Sequence, residues 1–303
     1  MKNIIEFYYN IRIDTLHSKN DYYFFSINNK EYIFKPYYKD ETVANSVYRL
    51  GSILSERMSV DSIIPNKYNS PITKYENIPY ILLENKSKNI ISLPVISNIS
   101  NIGINNTTYI KDLERNNWEV LWGNKIDYYE MQVGENYKKY PLIRESFDYF
   151  IGMGENAISY LVNTKREVKP TFHDSKVPSH NNLYSSLFDP SNMILDHKAR
   201  DVAEYIKYSF WNDNKNIFRE LDEYFRHNFY SVYGIRVLFS RVLYPSFYFD
   251  MYDDIVSGKK KEKEMNSIIS RISEYEYFLY NMYLYLRKFY DIPEISWLKK
   301  TRN

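Results

Sequence analysis

Cysteine is absent from the 303 residues of this chain. Its absence excludes disulfide bonds, zinc sites built on thiolates and a thiol nucleophile, and it fits a reducing compartment. A strong charge of either sign is also absent, because 40 basic residues stand against 38 acidic ones for a net charge of +2. The chain as a whole therefore has no electrostatic footprint for nucleic acid, and we expect no nucleic-acid partner.

Long apolar runs are also missing, and no stretch is long enough to span a bilayer. The first ten residues, MKNIIEFYYN, lack the uninterrupted apolar core of a signal peptide. These two features predict a cytoplasmic protein without membrane insertion. Glycine is scarce as well: the chain has eight, and the first is Gly51. The hairpin predicted before it therefore contains no glycine-rich loop of the kind that cradles phosphates.

What the sequence does contain is centred on the stretch from Ser186 to Trp211. A short apolar strand over residues 193–195 ends in Asp196, and Asp201 opens a helix whose apolar residues recur at helical spacing. A strand that delivers a carboxylate at its end is a common way to place a metal-binding or catalytic acid at the mouth of a pocket. The same pattern also fits a simple turn at Asp196 and a helix cap at Asp201. Both interpretations remain open at this point.

The remaining patterns predict an α+β fold of two lobes. Residues 1–84 form a small mixed lobe, an antiparallel sheet with one helix; residues 85–108 form a linker; and residues 109–303 form a larger, mainly helical lobe. Within the small lobe we expect strands from residue 1 to about 38, including a hairpin of 22–27 and 31–36, then a helix over 41–58 and strands near 71–75 and 80–83. In the large lobe we expect helices over 109–139, 142–161, 216–233, 235–257 and 262–290, and a loop over 163–190.

Three motifs carry a resemblance to a known family. They are WEVLW with KID at 118–127, ESFDYFIGMGENAI at 145–158, and FDP at 188–190 followed by DH at 196–197 and RDVAEYI at 200–206. These motifs resemble the spore-coat kinase-like proteins of the CotS/YutH group, which share the fold of protein kinases and aminoglycoside phosphotransferases. The resemblance implies a bilobal protein-kinase-like fold, and the likeness to the YutH branch extends over nearly the whole chain.

The resemblance also implies residue roles. In the wider fold a strand lysine contacts the nucleotide phosphates, a helix glutamate pairs with it, a His-x-Asp loop supplies the catalytic base and a later strand-end Asp holds Mg²⁺. The matching positions here are Lys35 for the phosphates, Glu56 for the helix partner, His180 and Asn182 for the catalytic loop, and Asp196 with Asn192 for the metal. The base position is therefore an asparagine, and an amide cannot take a proton from a hydroxyl at neutral pH.

Two functional hypotheses follow from this pattern and its departures. The first is a pseudokinase or scaffold in spore coat assembly, made in the mother-cell cytoplasm and associated with coat proteins. The second is an active ATP- and Mg²⁺-dependent phosphotransferase for a small molecule or a protein, with an atypical catalytic loop. ATP and Mg²⁺ are the cofactors of the second hypothesis, and the first needs none.

Overall fold

The computed structural model describes residues 1–86, 90–102, 107–135 and 138–298. The chain divides into two compact units: unit 1 is Met1–Arg115 with Lys176–Asp196, and unit 2 is Asn116–Ser175 with His197–Asn303. Unit 1 thus takes in both the predicted linker over 85–108, part of which lies outside the described residues, and the segment 176–196 from the second half of the chain.

Unit 1 contains an antiparallel sheet, and the predicted hairpin is confirmed within it. Its strands run in the order β1-β2-β3-β6-β4, with β5 paired to β6. Two-residue turns join β1 to β2 at Asn20-Asp21 and β2 to β3 at Asn28-Asn29, and all four residues have positive φ. Such turns favour Asn and Asp because their short side chains tolerate the left-handed region. The strands are β1 His17–Lys19, β2 Tyr22–Ile27, β3 Lys30–Pro36, β4 Ser62–Ile64, β5 Thr73–Tyr75 and β6 Ile78–Asn85.

Three α-helices belong to unit 1 in the described part of the chain: α1 Lys2–Tyr9, α2 Glu41–Ser55 and α3 Leu93–Ser100. Helix α2 confirms the predicted helix, and Asp40 caps it by accepting from the Thr42 N–H. The expected strand at the N-terminus is wrong, because α1 is helical and buries Ile5 in the sheet core. Helix α3 lies within the stretch 85–108 that was expected to be a linker. Both helices have eight residues, too few for the apolar period to separate helix from strand.

A second, two-stranded sheet in unit 1 pairs β7 Lys176–His180 with β8 Met193–His197, whose last residue already belongs to unit 2. All five residues of β8 are buried, as the apolar strand ending in Asp196 predicted. Strand β7 lies in a stretch that was expected to be loop because of its prolines. Pro178 fits there because a two-stranded sheet has only edge strands, in which a missing N–H is tolerated.

Apart from His197 at the end of β8, the regular secondary structure in the described part of unit 2 is helical. Pro245 divides the helix that was expected over 235–257 into α8 and α9, because proline cannot donate the backbone hydrogen bond that continuity requires. No helix among the described residues has the length and apolar character needed to cross a membrane. The helices of unit 2 are α4 Trp118–Glu135, α5 Pro141–Glu167, α6 Ala199–Trp211, α7 Ile217–His227, α8 Val232–Leu243, α9 Ser246–Val256, α10 Asn266–Ile269 and α11 Ile272–Arg287.

Two glycines in helix interiors give a paired prediction. A Cβ at Gly51 of α2 would lie 2.9 Å from Cγ of Pro190, whereas one at Gly152 of α5 would meet nothing within 4 Å. Gly51→Val should therefore destabilise unit 1 by about 1–3 kcal/mol through overpacking. Gly152→Ala should stabilise the protein by roughly 0.5–1 kcal/mol through helix propensity. Urea denaturation followed by far-ultraviolet circular dichroism measures both, and a Gly51→Val variant no less stable than the native chain would contradict the packing around Gly51.

Candidate functional site

Lys35 lies near the end of β3, opposite Ile81 of β6. Its ammonium forms an ion pair with the Asp189 carboxylate, and the two side chains are only 14% and 3% exposed. Both residues belong to unit 1. A charge pair this well buried is tightly coupled, since water screens it little.

The predicted helix partner of Lys35 lies elsewhere. Glu56 directly follows the last residue of α2, where it caps the C-terminal end of the helix and is exposed to solvent. The other glutamate of this helix, Glu41, pairs with Lys74 at 2.9 Å. The structure therefore supplies the counter-ion of Lys35 from the loop after β7 instead of from α2.

The predicted catalytic-loop residues are brought together by one asparagine. The Asn192 side chain donates from Nδ2 to the backbone oxygens of Asn182 at 2.7 Å and Ser186 at 2.9 Å. Its Oδ1 accepts from the Asn182 N–H at 3.1 Å. The Asn182 side-chain oxygen in turn accepts from the Tyr184 N–H at 3.0 Å. Both amide side chains thus brace the loop over 181–192.

His180 is the last residue of β7 and is 1% exposed. Its Nε2 lies 2.6 Å from the backbone oxygen of Leu187. A carbonyl oxygen can only accept, so Nε2 carries the proton and donates it to this bond. The contact gives His180 a structural role in closing the same loop.

Asp189 is the functional candidate that the sequence analysis missed. Its Oδ1 accepts from the Ser191 N–H at 2.8 Å and so caps the short 3₁₀ turn Pro190–Asn192, while Oδ2 pairs with Lys35. The signal was an Asp followed by Pro at the start of a turn, which is a common capping pattern. Nothing local in that pattern identifies a partner in β3.

Two further polar side chains lie beside this pair. Lys39 donates to the Ser191 backbone oxygen at 2.5 Å. Burial lowers the pKa of Lys39, and the nearby Arg115 and Lys35 charges lower it further, against the opposing effect of Asp189. Burial, followed by the charges of Asp40 and Asp189, raises the pKa of Tyr37 to about 12.

Asp196 is 2% exposed and is the penultimate residue of β8. The backbone of β8 is held from the segment after the first sheet, because the Arg115 N–H donates to the Leu195 oxygen at 2.9 Å. In the described residues no group of three or more His, Cys, Asp or Glu side chains is placed to hold a metal ion. Mg²⁺ needs no such cage, since it usually takes one or two carboxylates, waters and phosphate oxygens. Asp196 and Asn192 both carry oxygen atoms of the kind that Mg²⁺ prefers, and their assignment as its ligands stays a prediction.

A cleft of about 510 Å³ opens in unit 1 beside the first sheet. Phe24 pairs with Ile33, and Ser26 pairs with Glu31 across β2 and β3. Since side chains two residues apart share a sheet face, these four and Lys35 lie on the same face. The volume is in the range of small-molecule sites. The full lining comprises Asp14, Thr15, His17, Phe24, Phe25, Ser26, Glu31, Tyr32, Ile33 and Asn85.

A separate polar cluster in unit 2 surrounds Asp174. Its carboxylate accepts from both the N–H and the hydroxyl of Thr171, from the Ser231 hydroxyl and from Nε2 of His197 at 3.2 Å. Nδ1 of His197 accepts from the Ala199 N–H at 3.0 Å, which fixes the proton on Nε2. Burial acts to raise the pKa of Asp174, but the donors from His197, Thr171 and Ser231 together lower it. Because the serine bonds to the aspartate and not to the histidine, this cluster is no nucleophilic triad.

Comparison with known proteins adds a family and a fold. A family model described as "Spore coat putative kinase YutH" matches residues 2–282. The endospore coat-associated protein YutH of Bacillus subtilis (strain 168) is 31% identical over 209 residues, which cover 60% of this chain and 61% of that protein. The match thus spans about three fifths of the length of this curated relative.

Solved structures of phosphotransferases have the same fold. An aminoglycoside phosphotransferase from Alicyclobacillus acidocaldarius aligns with a TM-score of 0.65 over 94% of this chain and 96% of its own, at 12% identity. AMP-bound spectinomycin phosphotransferase APH(9)-Ia aligns with a TM-score of 0.61 over 89% and 93%, also at 12% identity. At this identity the likeness establishes the kinase-like α+β fold alone, which confirms the predicted fold class.

Proposed function

This chain belongs to the family described as spore coat putative kinase YutH, and from that membership we propose that it is a kinase-fold component of the endospore coat. In this proposal it binds coat proteins as a scaffold and transfers no phosphoryl group. It is made in the mother-cell cytoplasm and becomes part of the coat. The name of its B. subtilis relative, an endospore coat-associated protein, supports this location.

One observation argues against phosphoryl transfer: the loop after His180 has no free general base. Asp189 is the only carboxylate between His180 and Asn192, and it is committed to Lys35 and to the Ser191 N–H. A general base must be free to accept a proton from the attacking hydroxyl. The loop therefore offers no free base, and Asn182 cannot substitute for one because its amide does not accept protons at neutral pH.

The first hairpin supports the same conclusion. Asn20 and Asp21 alone connect β1 to β2. A tight two-residue turn leaves no loop to fold over a triphosphate, and it contains no glycine to allow a close backbone approach. Catalysis of phosphoryl transfer depends almost wholly on such positioning, so its loss lowers the rate directly.

The alternative is an active ATP- and Mg²⁺-dependent phosphotransferase with an atypical catalytic loop, in which Asp189, the one carboxylate of that loop, leaves Lys35. In that case Asp189 is the base, Lys35 contacts the phosphates, and Asp196 with Asn192 holds Mg²⁺. The two candidate functions differ in what the Asp189 carboxylate does, which makes them separable by substitution. AMP is bound by one of the solved structures of this fold, and AMP-PNP with Ca²⁺ by another, amicoumacin kinase hAmiN.

The test is a phosphoryl-transfer assay on the full purified chain with Mg-ATP labelled at the γ-phosphate. We expect no transfer to protein, to a panel of aminoglycosides or to water above the rate of a sample without protein. Turnover near 1 per second, within the range of working kinases, would overturn the proposal. Loss of that turnover in Asp189→Asn would then assign the base and establish the alternative.

The scaffold role has its own test in sporulating B. subtilis, the organism of the relative. A fluorescent fusion of the full chain should collect at the surface of the forming spore. When the fusion is immobilised and incubated with coat extract, it should retain coat proteins. The fluorescent protein alone, immobilised in the same way, should not retain them. Uniform fluorescence in the mother cell throughout coat formation would contradict the proposal.

A further inference from the structure

We infer that Lys35, Tyr37 and Lys39 form a row of donors for a phosphate-bearing anion, and that the Asp189 carboxylate is a built-in occupant which such an anion displaces. The inference rests on the proposed function, because it assigns this site to regulated binding and not to transfer. It adds Tyr37 and Lys39 to the lysine that the fold itself suggests, and it gives Asp189 an autoinhibitory role.

The backbone presents the three donors together. The Tyr37 N–H donates to the Pro79 oxygen at 2.8 Å and so continues the pairing of β3 with β6 beyond the end of the strand. Lys35 reaches Asp189, and Lys39 reaches the backbone of Ser191, two residues further along the same turn. The two lysines therefore converge on one short segment of the chain.

Charge at this point is unbalanced. The charges of Arg115 and Lys35 both act on Lys39, and Asp189 acts on Lys39 and pairs with Lys35. Against these three cations stand the buried Asp189 carboxylate and the exposed Asp40 carboxylate, which also acts on Tyr37. The local excess of positive charge that remains favours binding of a multiply charged anion. A carboxylate is smaller and carries less charge than a phosphate, so it satisfies the cluster only in part.

The Tyr37 hydroxyl is an independent sign of a missing acceptor. Tyr37 is 3% exposed, and its hydroxyl makes no hydrogen bond within the described part of the chain. A buried hydroxyl without a partner is unfavourable, so native sites rarely retain one without a reason. The pairing of β3 with β6 continues to Tyr37, so its side chain lies on the same face of the sheet as that of Lys35. The charges of Asp40 and Asp189 both act on this hydroxyl.

The test measures the binding of inorganic pyrophosphate to the full chain by isothermal titration calorimetry. Asp189→Asn removes the competing charge while keeping the shape, and we expect at least about tenfold tighter binding than in the native chain. Asp40→Asn is the matched control, because it removes a carboxylate that also acts on Tyr37 but is exposed and caps α2. It should change the affinity by no more than about twofold.

Two further variants identify the donors and guard against misfolding. In the native chain, Tyr37→Phe and Lys39→Gln should each weaken pyrophosphate binding by roughly threefold or more. Equal affinity of Asp189→Asn and Asp40→Asn, or unchanged binding in both Tyr37→Phe and Lys39→Gln, would overturn the inference. Should Asp189→Asn fail to fold, the Tyr37 and Lys39 variants decide. Detection of phosphoryl transfer would overturn the proposed function and leave these binding results standing, so the two failures are distinguishable.

Discussion

Lys35→Met should destabilise unit 1 by about 3–5 kcal/mol, because it leaves the Asp189 carboxylate buried without its counter-ion. The carboxylate is 3% exposed and keeps only the Ser191 N–H as a donor after the change. In an enzyme that uses this lysine only to contact nucleotide, the same substitution would remove activity with little effect on folding. A large loss of stability is therefore the signature of an ion pair built into the fold.

Lys30→Met is the control for this experiment, since Lys30 lies on the same strand and also pairs with a carboxylate. Its partner is Glu84 at 3.1 Å, whose side chain is 13% exposed, but Lys30 itself is 58% exposed, so its loss should cost less than about 1 kcal/mol. Hydrogen exchange of peptides from β3 and from 181–192 measures the effect within unit 1. Adding Asp189→Asn to Lys35→Met should restore much of the loss, and a double variant no more stable than Lys35→Met would refute the coupling.

Asp174→Ala should destabilise unit 2 by about 2–4 kcal/mol, because it removes one acceptor from the buried Ser231 and His197 donors and also from Thr171. The donors come from Thr171, Ser231 and His197, and the Asp174 side chain is 1% exposed. Tryptophan fluorescence during urea denaturation reports this change, because all four tryptophans belong to unit 2. Asp127→Ala on the exposed side of α4 is the control and should shift stability by less than about 0.5 kcal/mol.

The same carboxylate gives a prediction on pH. Because its folded pKa is lowered, Asp174 contributes stability above the unfolded value of about 3.9, and that contribution disappears as the pH falls toward the folded value. Native protein should therefore lose stability steeply below about pH 4. Asp174→Asn should show a shallower loss over the same range, and parallel curves for the two proteins would contradict the assignment.

Local patterns explain which parts of unit 1 could be predicted from the sequence. The hairpin of β2 and β3 follows from alternation and from an Asn-Asn turn, and α2 follows from its Asp40 cap and apolar spacing. These features are set by neighbours within a few residues. Helix α1 could not be distinguished from a strand, because its burial of Ile5 depends on strands that come later in the chain.

The candidate site was only partly predictable for the same physical reason. Lys35 could be placed from its strand, and Asp196 from the buried strand that presents it. The partner of Lys35 lies 154 residues away along the chain, and no local pattern connects the two. Glu56 was chosen as the partner from the resemblance alone, but α2 ends one residue earlier and leaves that side chain in solvent. The roles predicted for His180, Asn182 and Asn192 remain predictions, although their contacts with the loop are now described.

Unit 1 is assembled from two separated segments of the chain, so its parts are synthesised at different times during translation. The first piece ends at Arg115 and the second begins at Lys176, after an intervening segment of unit 2 has been made. At about 5–20 residues per second, Lys35 emerges roughly 8 to 30 seconds before Asp189. Throughout that interval Lys35 has no Asp189 to pair with, and Pro190 is not yet present to pack against Gly51. Translation halted anywhere before Asp196 therefore releases an incomplete unit 1, a substrate for chaperones and proteases.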